Sequence, residues 1–87
     1  MASLQEQFAQ AQLDVNSLPS RPDNATMLKL YALFKQATKG DVSGERPGGF
    51  DFVAAAKYDA WSEVKGISAK DAMQQYVVLV ESLLQKA

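Results

Sequence analysis

The sequence predicts an all-α protein built from four helices. In four separate stretches the apolar residues recur at steps of three and four positions, which is the spacing of one helix face. Prolines, glycines and capping side chains bound these stretches, and none of them competes seriously as a strand, which would alternate with a period of two. The 87 residues suffice for one small domain. We therefore expect a single domain over 1–87 with helices at about 4–18, 24–39, 52–65 and 68–86.

The first predicted helix carries a single apolar stripe. Its members are Leu4, Phe8, Ala11, Val15 and Leu18. Pro19 and Pro22 then end the helix, because the proline ring blocks the helical backbone pattern. One stripe indicates a helix that packs with one face on the core.

The second predicted helix is apolar around most of its circumference. Asp23 or Asn24 offers the N-cap oxygen, and Gly40 after Lys39 suits the C-terminus. The apolar residues between them are Met27, Leu28, Leu30, Tyr31, Leu33, Phe34 and Ala37. This excess of apolar surface indicates that the helix is central, or that it also presents a surface to a ligand.

A long irregular segment separates the second helix from the third. Residues 40–51 hold four of the five glycines, and such a loop in a small domain is usually packed on itself or functional. Asp51 can cap the third helix, Gly66 can end it, and Ser68 with Asp71 resembles a capping box for the fourth. The apolar residues of these two helices are Phe52, Ala55, Ala56, Trp61 and Val64, then Ala72, Met73, Tyr76, Val77, Val80, Leu83 and Leu84.

Composition excludes several functional classes. The chain has no Cys and no His, which rules out cysteine nucleophiles, disulfides, Ser–His catalysis and the common zinc sites. A net charge of −1 disfavours broad electrostatic binding to nucleic acid. The N-terminal residues lack the features of a secretory signal, and the longest apolar runs have five residues, far below the roughly 18 that cross a bilayer. We expect a soluble cytoplasmic protein.

The glycine-rich loop lacks the pattern of a ligand loop. It contains neither the Walker sequence nor the dinucleotide fingerprint. Asp41, Ser43 and Glu45 alternate as in a calcium loop, but Arg46 occupies the position of the required glycine and Pro47 follows it. The loop is therefore interpreted as a turn-rich connector, and no metal or cofactor is expected.

Tyr31 and Lys35 stand four residues apart and share one face of the second helix. A phenol beside an ammonium group is suited to a phosphate. The same spacing is typical of an amphipathic helix edge from which a lysine extends into solvent, and spacing alone favours that interpretation. Spacing also does not show that Lys57 and Tyr76 lie near this pair.

A series of short motifs then follows from Tyr31 to Trp61. The motifs are Tyr31, Phe34-Lys35-Gln36-Ala37-Thr38, Gly40-Asp41, Arg46-Pro47-Gly48, Asp51-Phe52 and Ala56-Lys57-Tyr58-Asp59-Ala60-Trp61. Matching positions continue through the first and fourth helices, so nearly the whole chain is covered without a gap. In this register the chain resembles the acyl-CoA-binding protein family.

The resemblance implies a fold and a function. The family forms a four-helix bundle with up-down-down-up connectivity, in which the long loop joins helices two and three. Its members bind medium- and long-chain fatty acyl-CoA esters non-covalently, one per protein, and act as intracellular carriers and pool formers without catalysis. The resemblance further implies a monomer that makes transient contact with membranes or with enzymes that use acyl-CoA.

The resemblance also assigns ligand-binding residues. The predicted set is Tyr31, Lys35, Lys57, Tyr76, Phe34, Met27, Leu28 and Ala11. In the family pattern Tyr31, Lys35 and Lys57 hold the ribose 3′-phosphate and Tyr76 lies against the adenine. The residues around Met27, Leu28 and Ala11 cover the acyl chain.

Four positions depart from the family pattern. Phe34 stands where the family usually has Tyr, and Tyr58 replaces the first of two Trp residues. Asn16 and Val53 stand where many members carry Lys, which removes positive charge near the expected phosphate site. The alternative hypothesis is therefore a helical protein–protein interaction module with a weakened acyl-CoA site. An enzyme ranks behind both, because nothing places the lysines and carboxylates at a reacting centre.

Overall fold

The computed structural model describes residues 2–86, and residues 1 and 87 of the predicted domain lie outside them. It contains four helices, α1 (Leu4–Asn16), α2 (Asn24–Thr38), α3 (Phe52–Glu63) and α4 (Ala69–Lys86), and the described residues include no strand. None of these helices combines the length and apolarity needed to cross a membrane.

Two helices end two residues earlier than the sequence predicts, and α2 ends one residue earlier. The α1 helix closes at Asn16, with the Ser17 N–H donating to the Asp14 carbonyl, because Leu18 precedes Pro19 and is disfavoured in helical geometry. The α3 helix likewise closes two residues before the predicted position, since the Val64 backbone has left the helix.

The helix starts are fixed by side-chain caps. The carboxylates of Asp23 and Asp51 and the hydroxyls of Ser3 and Ser68 each accept a hydrogen bond from the backbone N–H three residues later. The α2 cap is therefore Asp23 rather than Asn24. These bonds satisfy N–H groups that have no partner inside the helix.

The core joins all four helices, and α3 contributes Trp61 to it. The α1 helix packs on α4, whereas α2 packs on both α3 and α4; in the described part of the chain α3 packs on α2 alone. Phe8 lies at the centre, with its ring centroid 5.1 Å from that of Tyr76 at 81° and 6.1 Å from that of Phe34. The buried cluster comprises Phe8, Ala11, Leu30, Ala32, Leu33, Ala37, Trp61, Val64, Ala72, Tyr76, Val77 and Val80.

Gln36 joins three backbone segments from inside the protein. Its side chain is 1% exposed, and Nε2 donates to Asp41 Oδ1 at 2.7 Å and to the Ile67 carbonyl at 2.8 Å. Asp41 Oδ1 also accepts from the Gly66 N–H at 2.8 Å. The end of α2, the crossover loop and the turn between α3 and α4 are therefore held together.

Further side chains fasten the crossover loop, residues 39–51, to α3. The hydrogen bonds run from Trp61 Nε1 to the Gly40 carbonyl, from Tyr58 Oη to the Gly44 carbonyl, and from Arg46 to both carboxylate oxygens of Asp59. Gly40 has a φ of 87°, a conformation that favours glycine and directs the chain away from α2. Much of the motif series between Tyr31 and Trp61 thus shapes this loop.

Replacing Gln36 should destabilise the protein. We expect Gln36→Ala to lower the free energy of unfolding by about 2–4 kcal/mol, because Asp41 and the Ile67 carbonyl lose a buried donor and a small cavity forms. The control Gln75→Ala, at an exposed position on α4, should change it by less than about 0.5 kcal/mol. Equal urea midpoints for the two variants would contradict this role.

The Asp41 carboxylate should contribute pH-dependent stability. The Gly66 N–H and the Gln36 amide lower the pKa of Asp41 below its ordinary value of 3.8, so the native state binds fewer protons than the unfolded chain. The contribution is present above that ordinary value and is lost as the pH falls through the lowered pKa. The stability difference between wild type and Asp41→Asn should therefore shrink between about pH 6 and about pH 2. Urea unfolding at both pH values measures it, and a constant difference would contradict the assignment.

Candidate functional site

Two clefts meet along α2. One, of about 530 Å³, lies between α2 and α3 and is called the tail cleft here. It is lined by Arg21, Asn24, Met27, Leu28, Tyr31, Phe52, Val53, Ala56 and Lys57. The other, of about 480 Å³, is called the aromatic cleft and is lined by Val15, Asn16, Leu18, Ser20, Arg21, Pro22, Met27, Leu30, Tyr31, Phe34 and Tyr76. Arg21, Met27 and Tyr31 belong to both clefts, so they form the wall between them.

The tail cleft is apolar along most of its length. Met27 and Leu28 on α2 are half-buried, whereas Phe52 and Val53 on the first turn of α3 are 75% and 67% exposed. The sequence analysis places Phe52 among the apolar residues of the third helix, but no helix of residues 2–86 buries its side chain. The apolar excess of α2 is thus divided between the core and an open cleft.

The inner end of the tail cleft is basic. Lys57 Nζ lies 5.3 Å from the centroid of the Tyr31 ring, and Lys35 Nζ lies 5.9 Å from the same centroid. Lys35 Nζ is also 5.2 Å from the ring of Trp61, so cation–π attraction holds both ammonium groups near aromatic faces. Neither lysine forms an ion pair within residues 2–86. The packing of α3 on α2 therefore gathers two unpaired cations and a phenol, which suits an anion.

Tyr76 contributes to the aromatic cleft from α4. Its side chain is 5% exposed and shares the cleft with Tyr31 and Phe34. Burial raises the pKa of the Tyr76 phenol above its ordinary value of 10.0, so the group is neutral at physiological pH. The cleft thus offers flat aromatic surface beside the basic end of its neighbour.

The structure places seven of the eight predicted site residues at these clefts. Lys35 adjoins the clefts through its contact with Tyr31, and the other six residues line one or both of them. Ala11 lies apart, buried in the core against α4, and lines a groove with Val77 and Val80 instead.

Sequence reasoning did not single out Arg21 as a site residue. The residue lies in the connector between Pro19 and Pro22, and an isolated charge in a loop is usually solvated. The feature of the sequence that could have indicated Arg21 is its position, directly before a proline and shortly before a helix with excess apolar surface. The two positions at which the family resemblance implies lysine lie in different clefts. Asn16 lines the aromatic cleft, and Val53 lines the tail cleft.

Comparison with known proteins decides the family. Residues 5–80 match the family model described as Acyl CoA binding protein. The chain belongs to the acyl-CoA-binding protein family. An acyl-CoA-binding protein homolog of Manduca sexta is 49% identical over 83 residues, which cover 94% of this chain and 92% of that protein. The acyl-CoA-binding protein of Saccharomyces cerevisiae is 46% identical over 72 residues, 83% of each chain.

Solved structures of the family share the fold. Acyl-CoA-Binding Protein 2 of Oryza sativa superposes with a TM-score of 0.92 at 40% identity, covering 97% of this chain and 93% of that one. The acyl-CoA-binding protein of Moniliophthora perniciosa gives 0.88 at 41% identity, covering 99% and 83%. The predicted up-down-down-up bundle of the acyl-CoA-binding family is confirmed.

A relative that is named as an enzyme matches over only part of its length. Enoyl-CoA delta isomerase 2 of Rattus norvegicus is 45% identical over 83 residues, which are 95% of this chain but 21% of that protein. The matching family is one of binding proteins.

Proposed function

We propose that this protein binds medium- and long-chain fatty acyl-CoA esters, one per chain, and carries them in the cytoplasm as a monomer. One observation carries the proposal: the basic group of Tyr31, Lys35 and Lys57 adjoins an open apolar cleft. A ligand with a phosphorylated head and an apolar tail matches both parts. Family membership, and relatives named for acyl-CoA, support the same ligand.

The ribose 3′-phosphate is proposed to bind at Tyr31, Lys35 and Lys57. A phosphate there accepts charge-assisted hydrogen bonds from two ammonium groups and a hydrogen bond from the phenol. Neither lysine has to break an ion pair within the described chain to make these bonds, so no such attraction has to be lost when the phosphate binds. The adenine is proposed to lie in the aromatic cleft against Phe34, which is half-buried, and Tyr76, which is 5% exposed.

The acyl chain is proposed to lie in the tail cleft. Met27, Leu28 and Ala56 offer apolar contacts, and the flexible Met27 side chain adapts to chains of different shape. At about 0.8 kcal/mol per buried methylene group, a palmitoyl tail gains on the order of 10 kcal/mol from leaving water. Part of this gain offsets the entropy lost on association. Ala11 is left out of the proposed tail site because it packs in the core.

Binding is proposed to leave the thioester intact. Catalysis needs a general acid, a base or a nucleophile within reach of the reacting atom. The described residues that line the two clefts include no carboxylate, and their cations are matched to phosphate oxygens in this proposal. The ligand is therefore carried rather than converted.

Palmitoyl-CoA should bind with 1:1 stoichiometry and sub-micromolar affinity in calorimetric titration. Free CoA and free palmitate are the controls, and each should bind far more weakly because each engages only one of the two regions. At a ligand concentration about 100 times Kd, the free energy of unfolding should rise by about 2.7 kcal/mol. No heat and no thermal stabilisation at about 100 µM ligand would favour a protein-interaction module instead.

The 3′-phosphate should strengthen binding about tenfold or more. The comparison is palmitoyl-CoA against palmitoyl-dephospho-CoA, since a hydrogen bond to a charged group contributes about 1.5–3 kcal/mol. Lys35→Gln and Lys57→Gln should each remove much of the difference. Lys70→Gln is the control, because Lys70 is exposed on α4 and lines neither cleft. Equal affinity of the wild type for both esters would contradict this phosphate assignment and leave acyl-CoA binding intact.

A further inference from the structure

Arg21 stands at the junction of the two clefts. Together with Met27 and Tyr31 it lines both of them. Its backbone is restrained, because a residue that precedes proline is confined to extended conformations and Pro22 follows. Asp23 then caps α2, which fixes the connector onto the helix that carries Tyr31. The side chain is exposed but attached to a well-defined segment.

The Arg21 guanidinium has no partner among residues 2–86. The ion pair of the described chain joins Arg46 to Asp59, and no side-chain hydrogen bond involves Arg21. No carboxylate lines either cleft in the part of the chain that the structure describes. A guanidinium presents parallel N–H donors that fit two oxygens of one phosphate group. Arg21 is therefore available to an anion that spans the junction.

The proposed ligand carries such an anion. Acyl-CoA has a diphosphate between the ribose and the pantetheine arm, in addition to the 3′-phosphate. When Lys35 and Lys57 hold the 3′-phosphate, the diphosphate needs a different cation. Asn16 does not supply one, since it is neutral and its Nδ2 donates to the Gln12 carbonyl of its own helix at 3.2 Å. Asn16 and Arg21 line the same aromatic cleft.

We propose that Arg21 binds the diphosphate of the acyl-CoA ligand, as the cation that lines both clefts. The assignment rests on the proposed function. The diphosphate links the nucleotide to the pantetheine arm, which leads to the acyl chain. A cation at the wall between the aromatic cleft and the tail cleft therefore lies where this link must cross.

Three ligands separate the contribution of each anion. These are palmitoyl-CoA, palmitoyl-dephospho-CoA, which keeps only the diphosphate, and S-palmitoyl-pantetheine, which has no phosphate. Arg21→Gln should weaken the binding of both CoA esters by the same factor, about five- to tenfold, because both esters keep the diphosphate. It should leave palmitoyl-pantetheine unchanged. The control Lys70→Gln, which removes one exposed charge from α4 outside both clefts, should weaken binding of each ligand less than about twofold.

A second variant tests whether the two positions serve the same anion. Asn16→Lys added to Arg21→Gln should restore binding of both CoA esters to within about threefold of wild type, because it returns a cation to the aromatic cleft. Without this recovery, the inference that Arg21 acts as a cation for an anion in the aromatic cleft is wrong.

The outcomes distinguish this inference from the function on which it rests. Failure of the wild type to bind palmitoyl-CoA would overturn the proposed function. Normal wild-type binding with an unchanged Arg21→Gln variant would overturn only the role of Arg21. If Arg21→Gln weakened binding of palmitoyl-CoA alone, Arg21 would be assigned to the 3′-phosphate. If it weakened binding of palmitoyl-pantetheine equally, Arg21 would be a packing residue. Either outcome contradicts the proposal.

Discussion

The candidate site depends on how α3 is held, because within the described chain this helix packs on α2 alone. Its position is completed by polar contacts from the crossover loop, chiefly the bond from Trp61 Nε1 to the Gly40 carbonyl and the network around Gln36 and Asp41. Apart from Arg21, all the residues that line the tail cleft come from this one helix pair. Any loosening of the loop therefore separates Lys57 on α3 from Tyr31 on α2, even though neither residue touches the loop network directly.

Two ammonium groups beside one aromatic ring repel each other, so the basic end of the tail cleft is not arranged for stability. The arrangement is tolerated because Lys57 is exposed to water and because the aromatic faces of Tyr31 and Trp61 attract the cations. The net charge of −1 does not reveal this local excess of positive charge, since the balancing carboxylates lie elsewhere on the surface. A phosphate that binds there relieves the repulsion, and binding is thereby coupled to the stability of the α2–α3 pair.

The sequence predicted the helices well and the site only in part. Periodicity and caps located all four helices, and the early end of α1 follows from the restriction that Pro19 places on Leu18. Periodicity does not say which neighbour covers a face, so the sequence did not distinguish the exposed Phe52 from the apolar residues of the third helix that are buried. The spacing of Tyr31 and Lys35 places both on one face, but Lys57 reaches them only through tertiary packing. The family resemblance, which records that packing, supplied the link.

The departures from the family pattern act on different parts of the proposed ligand. Val53 adds apolar surface next to Phe52 in the lining of the tail cleft, four residues before Lys57 on the same helix. A lysine at that position would bring charge to surface that an acyl chain is proposed to cover, whereas valine gains from covering it. Asn16 instead removes charge from the cleft proposed for the nucleotide, where phosphates need cations. The two departures therefore concern different parts of the proposed ligand: Val53 lines the cleft proposed for the tail, and Asn16 lines the cleft proposed for the nucleotide, where Arg21 is the cation among the lining residues.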